Sequence, residues 1–179
     1  ATDGLEISWM ALNLRQGDEV ICCSHTMLAT ASAIKVAGGI PIPVEIGYDN
    51  LIDPDAIENA ITSRTVGIMP TQLNGRTCDM ERIMQIANKY KLYVVEDAAQ
   101  ALGSKFKGKN AGTFGHASAI SFFPAKVLGC FGDAGAILCQ DDTIFDRAYQ
   151  LHDHGRDKDG NVKSWGRNSR LDNLQAAIL

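Results

Sequence analysis

Short apolar runs alternate along this chain with longer stretches whose apolar residues recur at helical spacing. The short runs predict strands at residues 20–23, 40–44, 66–70, 92–97, 119–123 and 136–139. The longer stretches predict helices at residues 4–14, 26–37, 53–61, 79–90 and 142–151. Because strands that alternate with helices build α/β domains, we predict a mostly parallel sheet with helices on both faces.

Proline residues mark one edge of this predicted sheet and the start of one helix. The strand at 40–44 contains Pro41 and Pro43, which cannot donate backbone hydrogen bonds to a neighbouring strand. We therefore expect this strand at the edge of the sheet. Asp53 and Pro54 form the pair typical of a helix start, a capping side chain followed by a residue suited to the first turn.

Composition narrows the class of protein. The chain has 179 residues, of which 45% are hydrophobic and 21% charged, so it can bury a core and is not a disordered chain. Its formal net charge is −4 and it has no basic cluster, which argues against a nucleic-acid surface. No apolar run approaches the ~20 residues of a membrane span. Five scattered cysteines without a Cys-x-x-Cys pair favour a reduced, cytoplasmic setting.

Two residues carry the strongest chemical signal. Asp97 ends the apolar run at 92–97, and Lys126 follows the run at 119–123 and precedes a glycine-rich stretch. A lysine that forms a Schiff base and a carboxylate that pairs with a pyridinium nitrogen are the groups that pyridoxal phosphate chemistry most needs. In an α/β sheet, both residues would lie at the carboxyl ends of strands, where such sheets bind ligands.

Each residue also has an ordinary interpretation. A loop lysine is usually solvated, and an aspartate after a strand often caps a helix. The order of Asp97, Ser121, Lys126 and the glycines favours the chemical interpretation. His152 and His154 lack a third ligand nearby, so no metal site is predicted.

Several segments resemble the signature blocks of one family. They are Glu96 to Ala101, Ser121 to Gly129, Gly132 to Ala136 and the segment 166–177. In this order they are similar to blocks of the DegT/DnrJ/EryC1/StrS family, sugar aminotransferases of fold type I. The resemblance implies that residues 1–179 form the large, pyridoxal phosphate-binding domain, truncated at both ends, with the small C-terminal domain absent. It also implies that the strand at 136–139 is more exposed than in a whole enzyme.

The resemblance further implies a role for each candidate residue. Lys126 would attach the cofactor as a Schiff base and move protons, and Asp97 would keep the pyridine nitrogen protonated. Gln100 would lie beside the 3-hydroxyl group. The remaining cofactor-binding candidates are Thr2 and Asp3 in the phosphate turn, Ser121 on the same phosphate, Asn168 on the phosphate of a neighbouring subunit, and Met27 against the ring.

Some of these roles have structural alternatives. Thr2 and Asp3 could simply cap a helix, and Asn168 could cap the terminal one. Met27 stands where the family usually has an aromatic residue, and it could equally be a core side chain. The segment 71–75 also departs from the family, many of whose members carry a histidine there, which leaves the acceptor sugar open.

From the resemblance we expect a cytoplasmic homodimer with shared active sites. It would transfer an amino group, from glutamate, to a nucleotide-linked keto-deoxysugar in polysaccharide or natural-product synthesis. Two alternatives stay open. One is a dehydratase that uses the pyridoxamine form of the cofactor, although that branch replaces the lysine with histidine. The other is a non-catalytic cofactor-binding or regulatory protein.

Overall fold

The computed structural model describes all 179 residues, which form two β-sheets and six α-helices. The strands of the main sheet are β1 (Glu19–Cys23), β2 (Ile40–Val44), β3 (Thr65–Met69), β4 (Tyr93–Asp97), β7 (Ala117–Ser121) and β8 (Gly135–Cys139). A small hairpin consists of β5 (Lys105–Phe106) and β6 (Lys109–Asn110). The helices are α1 (Thr2–Ala11), α2 (Leu28–Val36), α3 (Pro54–Asn59), α4 (Met80–Tyr90), α5 (Asp142–His152) and α6 (Asn173–Ile178).

The main sheet has the strand order β2-β1-β3-β4-β7-β8, in which only β8 runs antiparallel to its neighbour. This arrangement confirms the predicted mostly parallel sheet. Strand β2 lies at one edge, as its prolines predict, and pairs only with β1. Strand β8 forms the opposite edge, and its residues are only partly buried or exposed.

Helices cover both faces of the sheet. Successive residues of each strand point to opposite sides, so each strand contributes side chains to the packing on both faces. On β1, Ile21 and Cys23 join a core cluster shared with α3 and α4, whereas Val20 and Cys22 join a second cluster with α1 and α2. Helix α5 packs against α1 through a small third cluster. No helix combines the length and the apolar character needed to cross a membrane.

The structure corrects several predicted boundaries. Helix α1 covers Thr2–Ala11 rather than 4–14, and β7 covers Ala117–Ser121 rather than 119–123. The first residues of β7 are small, so they gave no apolar signal although all are buried. The hairpin of β5 and β6 was not predicted. Its strands have two residues each, and its turn places Lys107 and Gly108 at positive φ without the usual Asn-Gly pair.

A glycine in β3 makes room for the largest core side chain. Trp9 of α1 is fully buried and lies against Gly67. A Cβ atom added at Gly67 would lie 2.5 Å from the Trp9 ring and 2.9 Å from the carbonyl oxygen of Tyr93. The backbone of β4 cannot move away, because β3 and β4 pair at this position.

We expect Gly67→Ala to destabilise the fold by about 1–3 kcal/mol, the usual cost of overpacking a core. Denaturant unfolding would measure the loss. Gly132→Ala is the matched control, because its added Cβ would meet only the flexible end of Gln175, at 3.2 Å. Equal stability losses in the two variants would contradict the packing argument.

Candidate active site

Three of the predicted site residues follow or end neighbouring strands at the carboxyl edge of the sheet. Asp97 is the last residue of β4 and Ser121 the last of β7, and Lys126 lies in the loop that follows. Helix α1 begins at the same edge, since a Cβ atom at Gly135, paired with Ser121, would lie 2.8 Å from the Ala1 nitrogen. Sequence reasoning placed these groups together because ligands bind α/β sheets at this edge.

Asp97 is a buried carboxylate with only 4% of its surface exposed. Its Oδ2 accepts a hydrogen bond of 2.7 Å from the Thr30 hydroxyl, and its Oδ1 accepts one of 3.2 Å from the Ala99 N–H. Burial raises the pKa of Asp97 above its usual value, while these two donors and the Lys126 charge act in the opposite direction. A buried carboxylate of this kind is suited to pairing with a cationic ligand nitrogen.

Lys126 is held by a tight loop and has no partner for its amine. The loop is closed by hydrogen bonds from the Cys130 N–H to the Phe122 oxygen and from the Lys126 N–H to the Phe123 oxygen, each 2.9 Å. A Cβ atom at Gly129 would lie 2.8 Å from the Pro124 oxygen, so only glycine fits there. The Lys126 amine makes no ion pair or hydrogen bond within the chain, which leaves it available to a ligand.

The start of α1 is a set of unpaired backbone donors. Its N-cap position is Ala1, whose side chain cannot cap, so the first N–H groups have no side-chain acceptor. Thr2 is therefore the first helical residue and not the cap. The Asp3 carboxylate is engaged elsewhere, accepting a hydrogen bond of 2.6 Å from the Ser169 hydroxyl. An uncapped helix start beside the hydroxyl of Ser121 suits a phosphate group.

Gln100 lies in the loop that follows β4, and Met27 lies just before α2. The Gln100 side-chain oxygen accepts from the Asn74 N–H at 3.1 Å, so its NH₂ group is left to donate. Met27 precedes α2 and is 62% exposed, which excludes the core interpretation. Its sulfur accepts from the Ala29 N–H at 3.1 Å. Both placements are compatible with the roles that the resemblance implies.

Asn168 lies in the segment between α5 and α6, which contacts helix α1. It lines a cavity of about 680 Å³ bounded by α1, β8 and α5, which Asp97, Ser121 and Lys126 do not line. The neighbouring Arg167 binds Glu6 of α1 through two hydrogen bonds of 2.5 and 2.7 Å and fixes this segment. The Asn168 oxygen accepts from Arg170 Nε at 3.1 Å. Asn168 does not cap α6, because the N-cap position is Asp172.

Sequence reasoning missed Glu96, whose side chain is fully buried. Its carboxylate accepts from Gln72 Nε2 at 2.8 Å and from the backbone N–H groups of Gly112, Phe114 and Gly115 at 2.7, 2.6 and 2.8 Å. These bonds tie the end of β4 to two loops. A charged residue inside an otherwise apolar strand was the signal available in the sequence. No group of three or more His, Cys, Asp or Glu residues is placed to hold a metal ion.

Comparison with known proteins identifies the family. The sequence model of the DegT/DnrJ/EryC1/StrS aminotransferase family matches residues 1–179. The chain belongs to this family. It is 44% identical to the UDP-2-acetamido-2-deoxy-3-oxo-D-glucuronate aminotransferase of Pseudomonas aeruginosa, over 99% of this chain and 50% of that protein. It is 42% identical to the erythromycin biosynthesis sensory transduction protein EryC1 of Saccharopolyspora erythraea, over 99% and 49%.

A solved structure confirms the fold. The structure of NtdA from Bacillus subtilis with bound cofactor PMP superimposes with a TM-score of 0.91 at 43% identity, covering 99% of this chain and 41% of that one. The predicted fold type I is therefore confirmed. The chain spans about half the length of the curated relatives it matches.

We expect Glu96→Gln to destabilise the fold, because a buried amide cannot accept all four hydrogen bonds and places its own N–H groups against donors. Each buried donor left unpaired costs about 1–3 kcal/mol, and chemical denaturation would measure the sum. Glu81→Gln is the control, because the Glu81 pair with Lys107 is exposed and should contribute little to stability. A Glu96 variant as stable as the control would refute the argument.

Proposed function

We propose that this chain is the cofactor-binding part of a pyridoxal phosphate-dependent aminotransferase. It transfers an amino group, with glutamate as donor, to a nucleotide-linked keto-deoxysugar in polysaccharide or natural-product synthesis. The observation that carries the proposal is the buried Asp97 carboxylate at the same sheet edge as the unpaired Lys126 amine. These are the two groups that this cofactor requires of a protein.

The residues present fit the cofactor. The Lys126 amine would attach it covalently, the Asp97 carboxylate would pair with its ring nitrogen, and the Gln100 NH₂ group would donate to its ring oxygen. The uncapped start of α1 at Thr2 and the Ser121 hydroxyl would hold its phosphate. When bound, pyridoxal phosphate supplies an electron sink for a carbanion at the carbon of the amino donor.

The chain's own residues position the donor and move its protons. The Lys126 amine, which has no partner within the chain, is the group that would move a proton at the donor carbon. The Asp97 carboxylate would pair with the ring nitrogen, and the nearby Lys126 charge favours its ionised form. Met27 covers the approach from α2, and its thioether can pack against a ring face.

The relatives support the substrate class. The Pseudomonas aeruginosa protein is named for a UDP-linked 3-oxo sugar, and the Bacillus subtilis structure holds PMP. A keto group on a nucleotide-linked sugar is therefore the acceptor we propose. The segment 71–75 reaches the site from β3 without the histidine that many members carry, so it is where acceptor preference would differ.

Two other functions compete with this proposal. EryC1 is named as a sensory transduction protein, which favours a regulatory role for some relatives. Such a protein could bind the cofactor without transferring an amino group, so turnover separates the two. The dehydratase alternative is disfavoured by Lys126 itself, because that branch has histidine at this position.

We further propose that the intact protein is a cytoplasmic homodimer in which Asn168 reaches the phosphate site of the partner subunit. The position of Asn168 supports this, because the cavity that it lines includes none of Asp97, Ser121 and Lys126. The same cavity includes Thr2 of its own chain, so a contact within one chain is the competing arrangement.

Lys126→Ala should abolish covalent attachment of the cofactor. The chain would be incubated with pyridoxal phosphate, reduced with borohydride and mapped by peptide mass. We expect label on Lys126 alone in the unmodified chain and none in the variant. Lys105→Ala, which removes an exposed lysine of β5, should label normally. Label that persists on another lysine in Lys126→Ala would refute the assignment.

The shared site predicts complementation between two impaired variants of the intact protein. After subunit exchange, Lys126→Ala with Asn168→Ala should recover activity, because one site of each heterodimer would then carry neither defect. Loss of a phosphate hydrogen bond of about 1.5–3 kcal/mol should make Asn168→Ala measurably weak alone.

The control pair for this experiment is Lys126→Ala with Asp97→Asn. Both residues belong to the same site of one chain, so each site of a heterodimer would keep one defect and no recovery is expected. If the activity of the Lys126→Ala and Asn168→Ala mixture also stays at the sum of the activities of the two variants, Asn168 acts within its own chain and the shared site is wrong.

A further inference from the structure

Three threonine hydroxyl groups form a continuous chain that ends on Asp97. The Thr71 hydroxyl lies 2.9 Å from that of Thr26, which lies 2.7 Å from that of Thr30, which lies 2.7 Å from Asp97 Oδ2. The three come from different segments: Thr71 follows β3, Thr26 precedes α2, and Thr30 lies in the first turn of α2. Thr30 and Thr71 are buried, at 0% and 3% exposure.

The ionisation state of Asp97 fixes the direction of every bond in this chain. An ionised carboxylate only accepts, so Thr30 must donate its single hydroxyl proton to Asp97. Thr30 can then only accept from Thr26, which must in turn accept from Thr71. All three protons therefore point toward the carboxylate. If Asp97 were protonated, it could donate to Thr30 and the order could reverse.

We propose that Thr71, Thr26 and Thr30 act together as positioning residues that orient the Asp97 carboxylate and keep it ionised. Hydrogen bonds in such a chain polarise one another, so each hydroxyl strengthens the next one's donation. Thr30 contacts Asp97 directly, whereas Thr26 and Thr71 act through it. The chain offsets the burial that otherwise favours the neutral acid.

Few charges compete with this chain for control of Asp97. The charged side chain that acts on it most is the Lys126 ammonium, from the loop after β7. Glu96 points to the opposite side of β4, where its own four donors surround it. Thr30 thus makes the only side-chain hydrogen bond to the Asp97 carboxylate, and Thr26 and Thr71 extend it toward the end of β3.

The consequence for catalysis rests on the proposed function, because it requires Asp97 to face a cofactor nitrogen. A carboxylate held ionised there keeps that nitrogen protonated, and its orientation aims the remaining lone pairs into the site. Losing this chain of hydroxyl groups would raise the pKa of Asp97. Since protonation would then begin at higher pH, the acid limb of the pH–rate profile would move to higher pH.

The test uses the cofactor-free protein, so it does not depend on the proposed function. Carbon NMR of ¹³C-labelled aspartate would follow the titration of the Asp97 carboxyl, with Asp97→Asn providing the assignment. We expect Thr30→Val to raise the titration midpoint most, Thr26→Val less and Thr71→Val least. Thr30→Ser keeps the donor and should titrate close to the unmodified chain.

Thr77→Val is the matched control, since it removes a hydroxyl that bonds to Ser104 at 2.6 Å and has no link to Asp97. An unchanged midpoint in Thr26→Val and Thr71→Val would overturn the cooperative chain. Should Thr30→Val fail to fold, the half-buried Thr26 still provides the decisive variant. If Lys126 labelling fails while these midpoints shift, the proposed function is wrong and the hydroxyl chain stands.

Discussion

Two adjacent carboxylates at the end of β4 form the constraint on which the rest of the site depends. Because successive residues of a strand point to opposite faces, Glu96 and Asp97 cannot serve the same side of the sheet. Glu96 turns toward Gln72 and the loop 111–115, where four N–H donors satisfy it. Asp97 turns toward α2 and the ligand edge. Glu96 thus stabilises the loops around the end of β4, whereas Asp97 remains available to a ligand.

The division explains how a charge can be buried without losing the fold. A carboxylate in an apolar interior is costly unless hydrogen bonds surround it, and Glu96 has a full set from within the chain. Asp97 accepts only two hydrogen bonds from the protein, so its charge is less well compensated. Burial therefore raises its pKa, and a cationic ligand group would supply the missing compensation.

The site is assembled from strand ends and short loops whose shapes are enforced by close packing. Gly129 allows the Lys126 loop to close on itself, and Gly67 allows Trp9 to fill the space between α1 and the sheet. Helix α1 is in turn held by Arg167 on Glu6, so the far segment of the chain fixes the helix whose start faces the ligand edge. Positions distant in sequence therefore set the geometry of the site.

The sequence by itself determined the strand and helix alternation and the edge position of β2, and it predicted Asp97 and Lys126 as the chemical centre. These follow from local patterns: apolar periodicity, prolines that cannot pair on both sides, and signature blocks in a fixed order. Only the tertiary structure revealed the partners of Glu96, the hydroxyl chain to Asp97 and the position of Asn168 in a cavity that Asp97, Ser121 and Lys126 do not line. A threonine carries no periodic signal, and its donor role depends on which groups the fold brings within hydrogen-bond distance. The same is true of a buried carboxylate, whose four partners lie 16 to 24 residues away along the chain.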